Sequence, residues 1–314
     1  MKIRHTQWNK EDAVVLTNSG YEAVILPGYG ANCISLIHLP TGDQLLRVPE
    51  TAEELQTKSN VYGLPVLFPP NRIRDGKFIF LGHQYCLPIN EPERENHIHG
   101  ILHRTPFVWN GEDSFLFRAD AKNPYFSFPH AFDMERQYRL TQNGLEVILK
   151  VTNRSRATMP CGIGVHASFG LVREHPSFLE IQAEKQWLVD PVRLLPTGST
   201  VQNSPLLSQL RSGKLDPDKG SISVLLECLP QCVIRLKKPC GTWKCTMDKH
   251  FRFVMLWNGG GGKHFICPEP QTWVTDAPNL PFGADTTGLI QIEPGESFQT
   301  MLVYSFAPES TGVL

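Results

Sequence analysis

The sequence predicts an all-β protein, built as a large antiparallel sandwich or barrel with very little helix. Short runs of residues alternate between apolar and polar along much of the chain, which is the two-residue period of a strand. Turn signals such as Asn143-Gly144 and Pro294-Gly295 separate these runs. The strand–helix–strand rhythm of a parallel sheet is missing, which favours antiparallel strands.

The alternation is clearest at residues 145–153 and 298–306. One face would carry the apolar residues Leu145, Val147, Leu149 and Val151 in the first run and Phe298, Leu302, Tyr304 and Phe306 in the second. Shorter runs of the same kind predict further strands at residues 13–16, 23–26, 115–118, 136–140, 233–236 and 251–257. Residues 50–58 form the only predicted helix. Four glycines at 259–262 lack the following Lys-Ser/Thr of a phosphate loop, so we interpret them as a turn between two strands.

Length and composition indicate one globular unit. Of 314 residues, 41% are hydrophobic and 19% are charged, which argues against disorder. No linker, low-complexity tract or repeat divides the chain, so we predict a single β-sandwich domain over residues 1–314.

The charge pattern and the start of the chain predict where the protein acts. A net charge of −1 without a basic run argues against nucleic-acid binding. No apolar run reaches the roughly 18 residues of a membrane span, and the polar start lacks the core of a signal peptide. We therefore predict a cytoplasmic protein with no membrane partner.

The eight cysteines include no Cys-x-x-Cys pair, which argues against a zinc site. We expect buried free thiols instead, because six of them occur in apolar or strand-like stretches: Cys33, Cys86, Cys161, Cys232, Cys245 and Cys267.

One carboxylate, Glu269, is held between Pro268 and Pro270 directly after the apolar run at 265–267. We expect it at the end of a buried strand, on a backbone that the prolines restrict. Apolar neighbours should raise its pKa and make it a better base. The alternative is a salt-bridged glutamate at a strand end.

Polar groups also stand out in a loop at residues 69–76, which presents Asn71, Arg72 and Arg74. The donors of arginine suit hydroxyls and carboxylates. An exposed turn with solvated arginines is the alternative.

Histidines occur in two further segments. If residues 96–103 are extended, His97 and His99 face the same side and His103 follows four residues later, a spacing that allows a metal site. A cupin-like site requires a glutamate soon after such a pair, and none is present, so His99 could instead hydrogen-bond a neutral ligand. His166 ends a small apolar strand with glycines nearby, which permit close approach of another group. A core histidine is the alternative there.

Six short motifs occur in order within residues 14–306: Asn71-Arg72-Ile73, His99-Gly100, Gly164-x-His166, Leu195-Pro-Thr-Gly198, Cys267-x-Glu269-Pro270 and Pro294-Gly-Glu296. Together they resemble the aldose 1-epimerases, or galactose mutarotases. The resemblance implies that family's large antiparallel β-sandwich, the galactose mutarotase-like supersandwich, which agrees with the strand pattern.

The resemblance also implies an acid–base reaction without metal or organic cofactor. Glu269 would take the proton of the anomeric hydroxyl of a small-molecule sugar while His166 protonates the ring oxygen. The ring opens, the C1–C2 bond rotates, and closure gives the other anomer. We expect a raised pKa for the glutamate and a histidine pKa near about 6.5.

The same resemblance implies that Arg72 and His99 hold the sugar's oxygens, with Asn71 beside them. Trp257 or Trp273 could supply an apolar platform under the ring, with Trp257 preferred for the substrate site. No residue of the predicted site is assigned to a metal.

Three departures from the family pattern concern sugar specificity. An aromatic pair that commonly follows the acidic histidine is replaced by Ala-Ser-Phe after His166, and Ile101 replaces a second glycine after His99-Gly100. The aspartate that grips sugar hydroxyls has only Asp216 and Asp218 as candidates.

Other functions compete with mutarotation. A hexose-6-phosphate 1-epimerase would use arginines for the phosphate, and a non-catalytic sugar-binding protein would keep only the pocket. A glycoside hydrolase needs a second carboxylate, for which Asp276, Asp285 and Glu293 are candidates. The protein is expected to be a monomer or a homodimer. For the hexose-6-phosphate 1-epimerase, the candidate phosphate ligands are Arg72, Arg74, Arg94 and Arg104.

Overall fold

The computed structural model describes residues 1–309, which form 27 strands and a few short helices. Strands account for 48% of the structure and helices for 9%, which confirms the predicted all-β class. In chain order the strands are β1 Lys2–Trp8, β2 Glu11–Thr17, β3 Tyr21–Leu26, β4 Asn32–His38, β5 Asp43–Gln44, β6 Val66–Leu67, β7 Arg72–Arg74, β8 Lys77–Phe80, β9 His83–Cys86, β10 Asn96–Ile98, β11 Val108–Trp109, β12 Ser114–Ala119, β13 Phe132–Thr141, β14 Gly144–Asn153, β15 Met159–Cys161, β16 Gly164–Val165, β17 Phe169–Gly170, β18 Phe178–Glu180, β19 Ala183–Val189, β20 Pro196–Val201, β21 Ser223–Cys228, β22 Val233–Lys238, β23 Gly241–Met247, β24 Phe253–Trp257, β25 Phe265–Gln271, β26 Ile290–Ile292 and β27 Ser297–Pro308.

Three α-helices are present, and the predicted one at residues 50–58 is confirmed as α1. Thr51 caps α1 by accepting a hydrogen bond from the amide of Glu54 at 3.1 Å. The expectation of only one helix is wrong, because α2 has the same kind of start, with Ser204 as its cap and proline at its first position. The α-helices are α1 Ala52–Thr57, α2 Pro205–Arg211 and α3 Ala284–Thr287, and the 3₁₀ turns are Pro27–Tyr29, Pro92–Arg94, Leu102–Arg104 and Ala277–Asn279.

The strands form three large antiparallel sheets. Sheet 1 has the order β1-β2-β3-β4-β5, and sheet 2 has the order β11-β12-β13-β14-β27-β23-β22-β18. Sheet 3 has the order β20-β19-β21-β24-β25-β16-β6, and β17 also pairs with β25. Three small ribbons join β10 with β7, β15 with β26, and β8 with β9.

The main hydrophobic core contains residues from all three sheets, as a sandwich requires. Leu16 comes from sheet 1, Val147 and Leu302 from sheet 2, and Val254 from sheet 3. The predicted alternation in β14 is confirmed, because its odd-numbered apolar residues are fully buried. The single domain over residues 1–314 stays a prediction, and residues 310–314 lie outside the described part.

The cysteines are all free thiols, and six of the eight are buried. The expectation of burial is wrong for Cys86, which is exposed. Cys86 lies on the outer face of the β8–β9 ribbon, because side chains alternate along a strand and neighbouring Tyr85 points inward. Within residues 1–309, no helix combines the length and apolar character that crossing a membrane would need.

Candidate active site

A cavity of about 320 Å³ opens over sheet 3 and collects residues from distant parts of the chain. All six residues that the sequence predicts for the site line this cavity: Asn71, Arg72, His99, His166, Trp257 and Glu269. The volume lies at the low end of the roughly 300–1,000 Å³ range of small-molecule sites. It therefore suits one small ligand.

The floor of the cavity is one face of three neighbouring strands. Trp257 of β24 pairs with Ser223 of β21, and Met255 of β24 pairs with Glu269 of β25. Because side chains alternate along a strand, these residues share one face. The alternate residues of β24, such as Val254, point the other way into the main core.

The position of Glu269 corrects one expectation, because it lies inside β25 and not after its end. Along one side, β25 is paired with β24 over residues 267–271; along the other, β17 pairs near its start and β16 at its last residue. Pro268 and Pro270 fall in the gap between β17 and β16. Proline has no amide hydrogen to donate to a further strand, so it is tolerated at such a gap.

His166 lies in the chain segment between β16 and β17, and so beside this gap. Its Nε2 is 3.2 Å from Oε1 of Glu269, and both side chains are buried. As predicted, the strand before His166 approaches another segment closely: a Cβ on Gly164 would lie 2.7 Å from Cβ of Pro70.

Burial shifts the pKa values of both groups, because it disfavours the charged form of each. Burial raises the pKa of Glu269 to about 8, against the opposing effects of the Arg72 charge and a hydrogen bond from Gln271. Burial lowers the pKa of His166 to about 3. The expected rise for the glutamate is confirmed, and the expected value near 6.5 for the histidine is wrong. Both shifts favour the neutral forms, a carboxylic acid beside a neutral imidazole.

Arg72 is fixed by Glu91, a residue that the sequence analysis missed. Its Nε and Nη2 each donate a 2.8 Å hydrogen bond to the Glu91 carboxylate, and its Nη1 donates to Oδ1 of Asn71 at 3.3 Å. Although burial would raise the pKa of Glu91, hydrogen bonds from Arg72 and Asn96 outweigh it, and the pKa lies below its ordinary value. The predicted loop around Arg72 is in fact strand β7, paired with β10.

His99 follows β10 in a left-handed backbone conformation, with φ of 63°. Its amide donates to the Asn71 carbonyl at 3.0 Å, and its ring lies 5.2 Å from the His166 ring in a perpendicular arrangement. Burial, followed by the neighbouring His166, holds the pKa of His99 well below its usual range. A neutral imidazole here can donate or accept a hydrogen bond.

The histidine spacing at residues 96–103 does not produce the metal cluster that it allows. The turn at His99 breaks the alternation, so His97 points elsewhere and its Nδ1 bonds the Pro88 carbonyl at 2.7 Å. Neither His97 nor His103 lines the cavity. A different trio, His99, His166 and Glu269, offers donor atoms within 4.8 Å of one another and could hold a metal ion. The absence of a metal from the reaction stays a prediction.

The two tryptophan candidates occupy different environments. Trp257 lines the cavity, with its ring 6.1 Å from that of His166. Trp273 is buried, donates from its indole to the Pro70 carbonyl at 3.3 Å, and covers Gly162. Trp257 is therefore the available platform, and Trp273 is a core residue.

The aspartate candidates lie outside this cavity. Asp216 and Asp218 line a separate cavity of about 370 Å³ beside residues 171–177. Asp218 is engaged by His264, whose Nδ1 lies 2.8 Å from its carboxylate. Neither aspartate is placed to grip a ligand at Glu269.

Six further residues line the cavity, and the sequence analysis assigned none of them to a ligand except Arg94, as one of four candidate phosphate ligands. Met255 and Ser223 could have been found, because they share a strand face with the predicted residues. The others come from turns and from the end of β10, and these segments meet only in the folded protein, so no local signal marks them. The six are Asn60, Arg94, Ile98, Leu194, Ser223 and Met255.

Comparison with known proteins agrees with this fold. A galactose mutarotase-like protein from Clostridium acetobutylicum is 26% identical, with a TM-score of 0.91 and coverage of 98% of both chains. An aldose epimerase homologue from C. elegans is 18% identical, with a TM-score of 0.76 and coverage of 94% of this chain and 98% of that one. The uncharacterized protein YphB of Escherichia coli (strain K12) is 23% identical over 248 residues, which is 72% of this chain and 77% of that protein.

The family model described as aldose 1-epimerase matches residues 12–305. This match includes every residue that lines the cavity and all three large sheets except β1, the first residue of β2 and the last three residues of β27. On this evidence the chain belongs to the aldose 1-epimerase family.

Proposed function

We propose that this protein is an aldose 1-epimerase, which interconverts the α and β anomers of an aldose by ring opening and reclosure without metal or organic cofactor. The observation that carries the proposal is the 3.2 Å approach of the Glu269 carboxyl group and the His166 imidazole inside one cavity. Ring opening requires one group to accept a proton while another donates one, and the two must be held together.

The protonation states of Glu269 and His166 before and after ring opening suit a reversible reaction. Before ring opening, the carboxyl proton of Glu269 moves across the 3.2 Å contact to His166. Glu269 then takes the proton of the anomeric hydroxyl, the bond from C1 to the ring oxygen breaks, and His166 gives its proton to that oxygen. The pair is then a carboxylic acid beside a neutral imidazole, which is the arrangement that burial favours. After rotation about C1–C2, Glu269 returns its proton to the aldehyde oxygen and His166 recovers one from the attacking hydroxyl.

Arg72 and His99 support these proton transfers by holding the sugar's oxygens. Because both oxygens of Glu91 bind Arg72, the guanidinium is held before the substrate arrives. A preorganised cation in a buried site stabilises developing negative charge without later reorganisation. Trp257 offers an apolar surface for one face of the ring.

The carboxylates of the cavity favour this reaction over glycoside hydrolysis. Among residues 1–309, Glu269 is the only carboxylate that lines the cavity. Of the candidates for a second one, Asp276 is buried and accepts hydrogen bonds from the amide of Arg74 and from Asn279. A hydrolase needs two carboxyl groups that flank one bond.

The test is polarimetry on freshly dissolved α-glucose and α-galactose. We expect Glu269→Gln and His166→Asn each to lower the catalysed rate by at least about 10²-fold, because each removes one proton-transfer group. Glu112→Gln and His83→Asn are matched controls at exposed positions and should keep wild-type rates. Circular dichroism would check that all four variants fold.

Full activity in either site variant would contradict the assignment. Ligand binding without any change in the rate of anomer exchange would support a non-catalytic sugar-binding protein. Loss of activity in a chelator, restored by zinc or iron, would show that His99, His166 and Glu269 act through a metal.

A further inference from the structure

The charged groups of the cavity are unequal in number. Two guanidinium groups, Arg72 and Arg94, line it, whereas Glu269 is its only carboxylate within the described residues. Arg74 and Arg104, the other arginines considered for a phosphate, are not part of it: Arg74 pairs with Asp276, and Arg104 is exposed elsewhere.

The carboxylates next to these two arginines, Glu91 and Glu93, do not cancel the excess of positive charge. Both oxygens of Glu91 already accept hydrogen bonds from Arg72, and one also accepts from Asn96. Arg94 approaches Glu91 at 3.5 Å and Glu93 at 3.1 Å, in both cases through Nη1. The Glu93 side chain is 63% exposed, so water and salt screen that contact.

The Arg94 guanidinium keeps unused donors. Its Nε is buried without a hydrogen-bond partner, and within residues 1–309 only its Nη1 donates to an acceptor. Its side chain remains 32% exposed and lines the cavity, so a ligand can reach it. Arginine binds the planar oxygens of carboxylates and phosphates through such donors.

The uncharged lining adds no negative charge. The predicted acceptors for sugar hydroxyls, Asp216 and Asp218, lie in another cavity, and the uncharged polar residues here are Asn60, Asn71, Ser223 and the neutral histidines His99 and His166. From this donor-rich wall we propose that the substrate is an aldose with an anionic group, a phosphate or a carboxylate, away from its anomeric carbon, and that Arg94 binds that group. The proposal rests on the proposed function for its chemistry, and it names the class of sugar.

The two ends of the ligand then have separate partners. The anomeric carbon lies at Glu269 and His166, where protons move, and the anionic group lies at Arg94. The small volume of the cavity limits the ligand to one ring with its substituent.

The first experiment compares kcat/KM for anomer exchange of glucose, galactose, glucose 6-phosphate and glucuronate, followed by NMR exchange spectroscopy. We expect the wild type to prefer an anionic sugar over glucose by about 10-fold or more, and Arg94→Gln to reduce this ratio by about 10–100-fold, the effect of a hydrogen bond to a charged group. Arg104→Gln removes the same charge outside the cavity and should leave the ratio unchanged. Equal ratios in the wild type and Arg94→Gln would overturn the inference, and catalysis of neutral sugars would still support the proposed function.

The second experiment measures binding without catalysis, by calorimetry on the Glu269→Gln protein with and without Arg94→Gln. Glucose 6-phosphate or glucuronate should bind more tightly than glucose, and this advantage should depend on Arg94 and weaken with salt. Whichever of the two binds more tightly identifies phosphate or carboxylate as the group. Inorganic phosphate that binds as tightly as the sugar phosphate would show an adventitious anion only and would overturn the inference. If no sugar undergoes catalysed exchange but anionic sugars bind through Arg94, the proposed reaction fails while the assigned ligand class stands.

Discussion

At the residue scale, the reactivity of Glu269 comes from its surroundings more than from its own chemistry. A carboxyl group in water is ionised at neutral pH, whereas burial raises the pKa of Glu269 to about 8. The same burial lowers the pKa of the adjacent His166 to about 3. At their ordinary pKa values, the two groups would be a carboxylate and a largely neutral imidazole at pH 7, which is one proton fewer than the buried pair holds.

The raised pKa of Glu269 also predicts how stability depends on pH. The folded protein keeps the proton of Glu269 between its ordinary pKa of 4.5 and the folded value of about 8, while the unfolded chain releases it. The stabilisation from this proton is complete below pH 4.5 and is lost as the pH rises through 8. Glu269→Gln has no such proton, so its free energy of unfolding relative to wild type should rise by about 2–5 kcal/mol between pH 5 and pH 9.

Urea denaturation of both proteins at pH 5, 7 and 9 measures this change. Glu112→Gln, at an exposed position, is the control and should follow the wild type at every pH. A difference between Glu269→Gln and wild type that stays constant with pH would show that Glu269 ionises normally in the folded protein.

At the element scale, two short breaks in regular structure create the site. One is the gap along β25, where the prolines around Glu269 leave room for the segment that carries His166. The other is the left-handed turn after β10, which sends His99 into the cavity. Continuous pairing would satisfy more backbone groups, but it would close the space between these side chains.

Gly100 is the residue that makes the turn at His99 possible, and its substitution tests this. With φ of 64°, it lies against the backbone of Phe68, and an added Cβ would overlap the Phe68 carbonyl and the Tyr125 hydroxyl. We expect Gly100→Ala to destabilise the fold by about 2–4 kcal/mol, the sum of left-handed strain and overpacking, and to lower activity by displacing His99.

Gly82→Ala is the matched control, because Gly82 has φ of 77° but open space around its Cβ position. Gly82→Ala introduces the left-handed strain without the overlap. We expect it to lower the free energy of unfolding by about 1 kcal/mol and to keep wild-type activity. Denaturation and polarimetry on both variants separate the two effects. Equal destabilisation would mean that contact with Phe68 does not matter.

At the scale of the whole molecule, Arg136 ties sheet 2 to the rest of the sandwich. This fully buried side chain of β13 donates to the carbonyls of Gly30 at 2.7 Å and Leu64 at 2.8 Å. Tyr138, two residues along, donates to the Ala31 carbonyl at 2.6 Å. These hydrogen bonds satisfy buried carbonyl groups in the segments before β4 and before β6, and so fix both segments to sheet 2.

Arg136→Leu should therefore lower the free energy of unfolding by about 2–5 kcal/mol, because two buried carbonyls lose their partners. Arg118→Gln is the control: Arg118 is exposed and pairs with Asp133, and loss of such a surface pair should leave the free energy of unfolding close to that of the wild type. Urea denaturation measures both. A change below 1 kcal/mol for Arg136→Leu would mean that water or other groups satisfy the carbonyls.

Much of the fold could be predicted from the sequence, because strand alternation is a local property. The buried face of β14 follows directly from its two-residue period. The helix α2 was missed, although its Ser204-Pro205 start is a visible signal. For the site, the ordered motifs contain five of the lining residues, and Trp257 was proposed beside them as an apolar platform. The partnership of Arg72 with Glu91 had no signal, because the stretch around Glu91 contains several carboxylates.

The amino-acid sequence by itself determined the all-β class, the positions of many of the longer strands and the kinds of side chain available for proton transfer, since each depends on residues adjacent in the chain. Only the tertiary structure decided that Glu269 lies within a strand, that burial moves its pKa and that of His166 in opposite directions, and that Arg94 reaches the cavity while Asp216 and Asp218 do not. The physical reason is that burial and electrostatic environment are set by neighbours in space, which folding brings together from segments far apart in sequence.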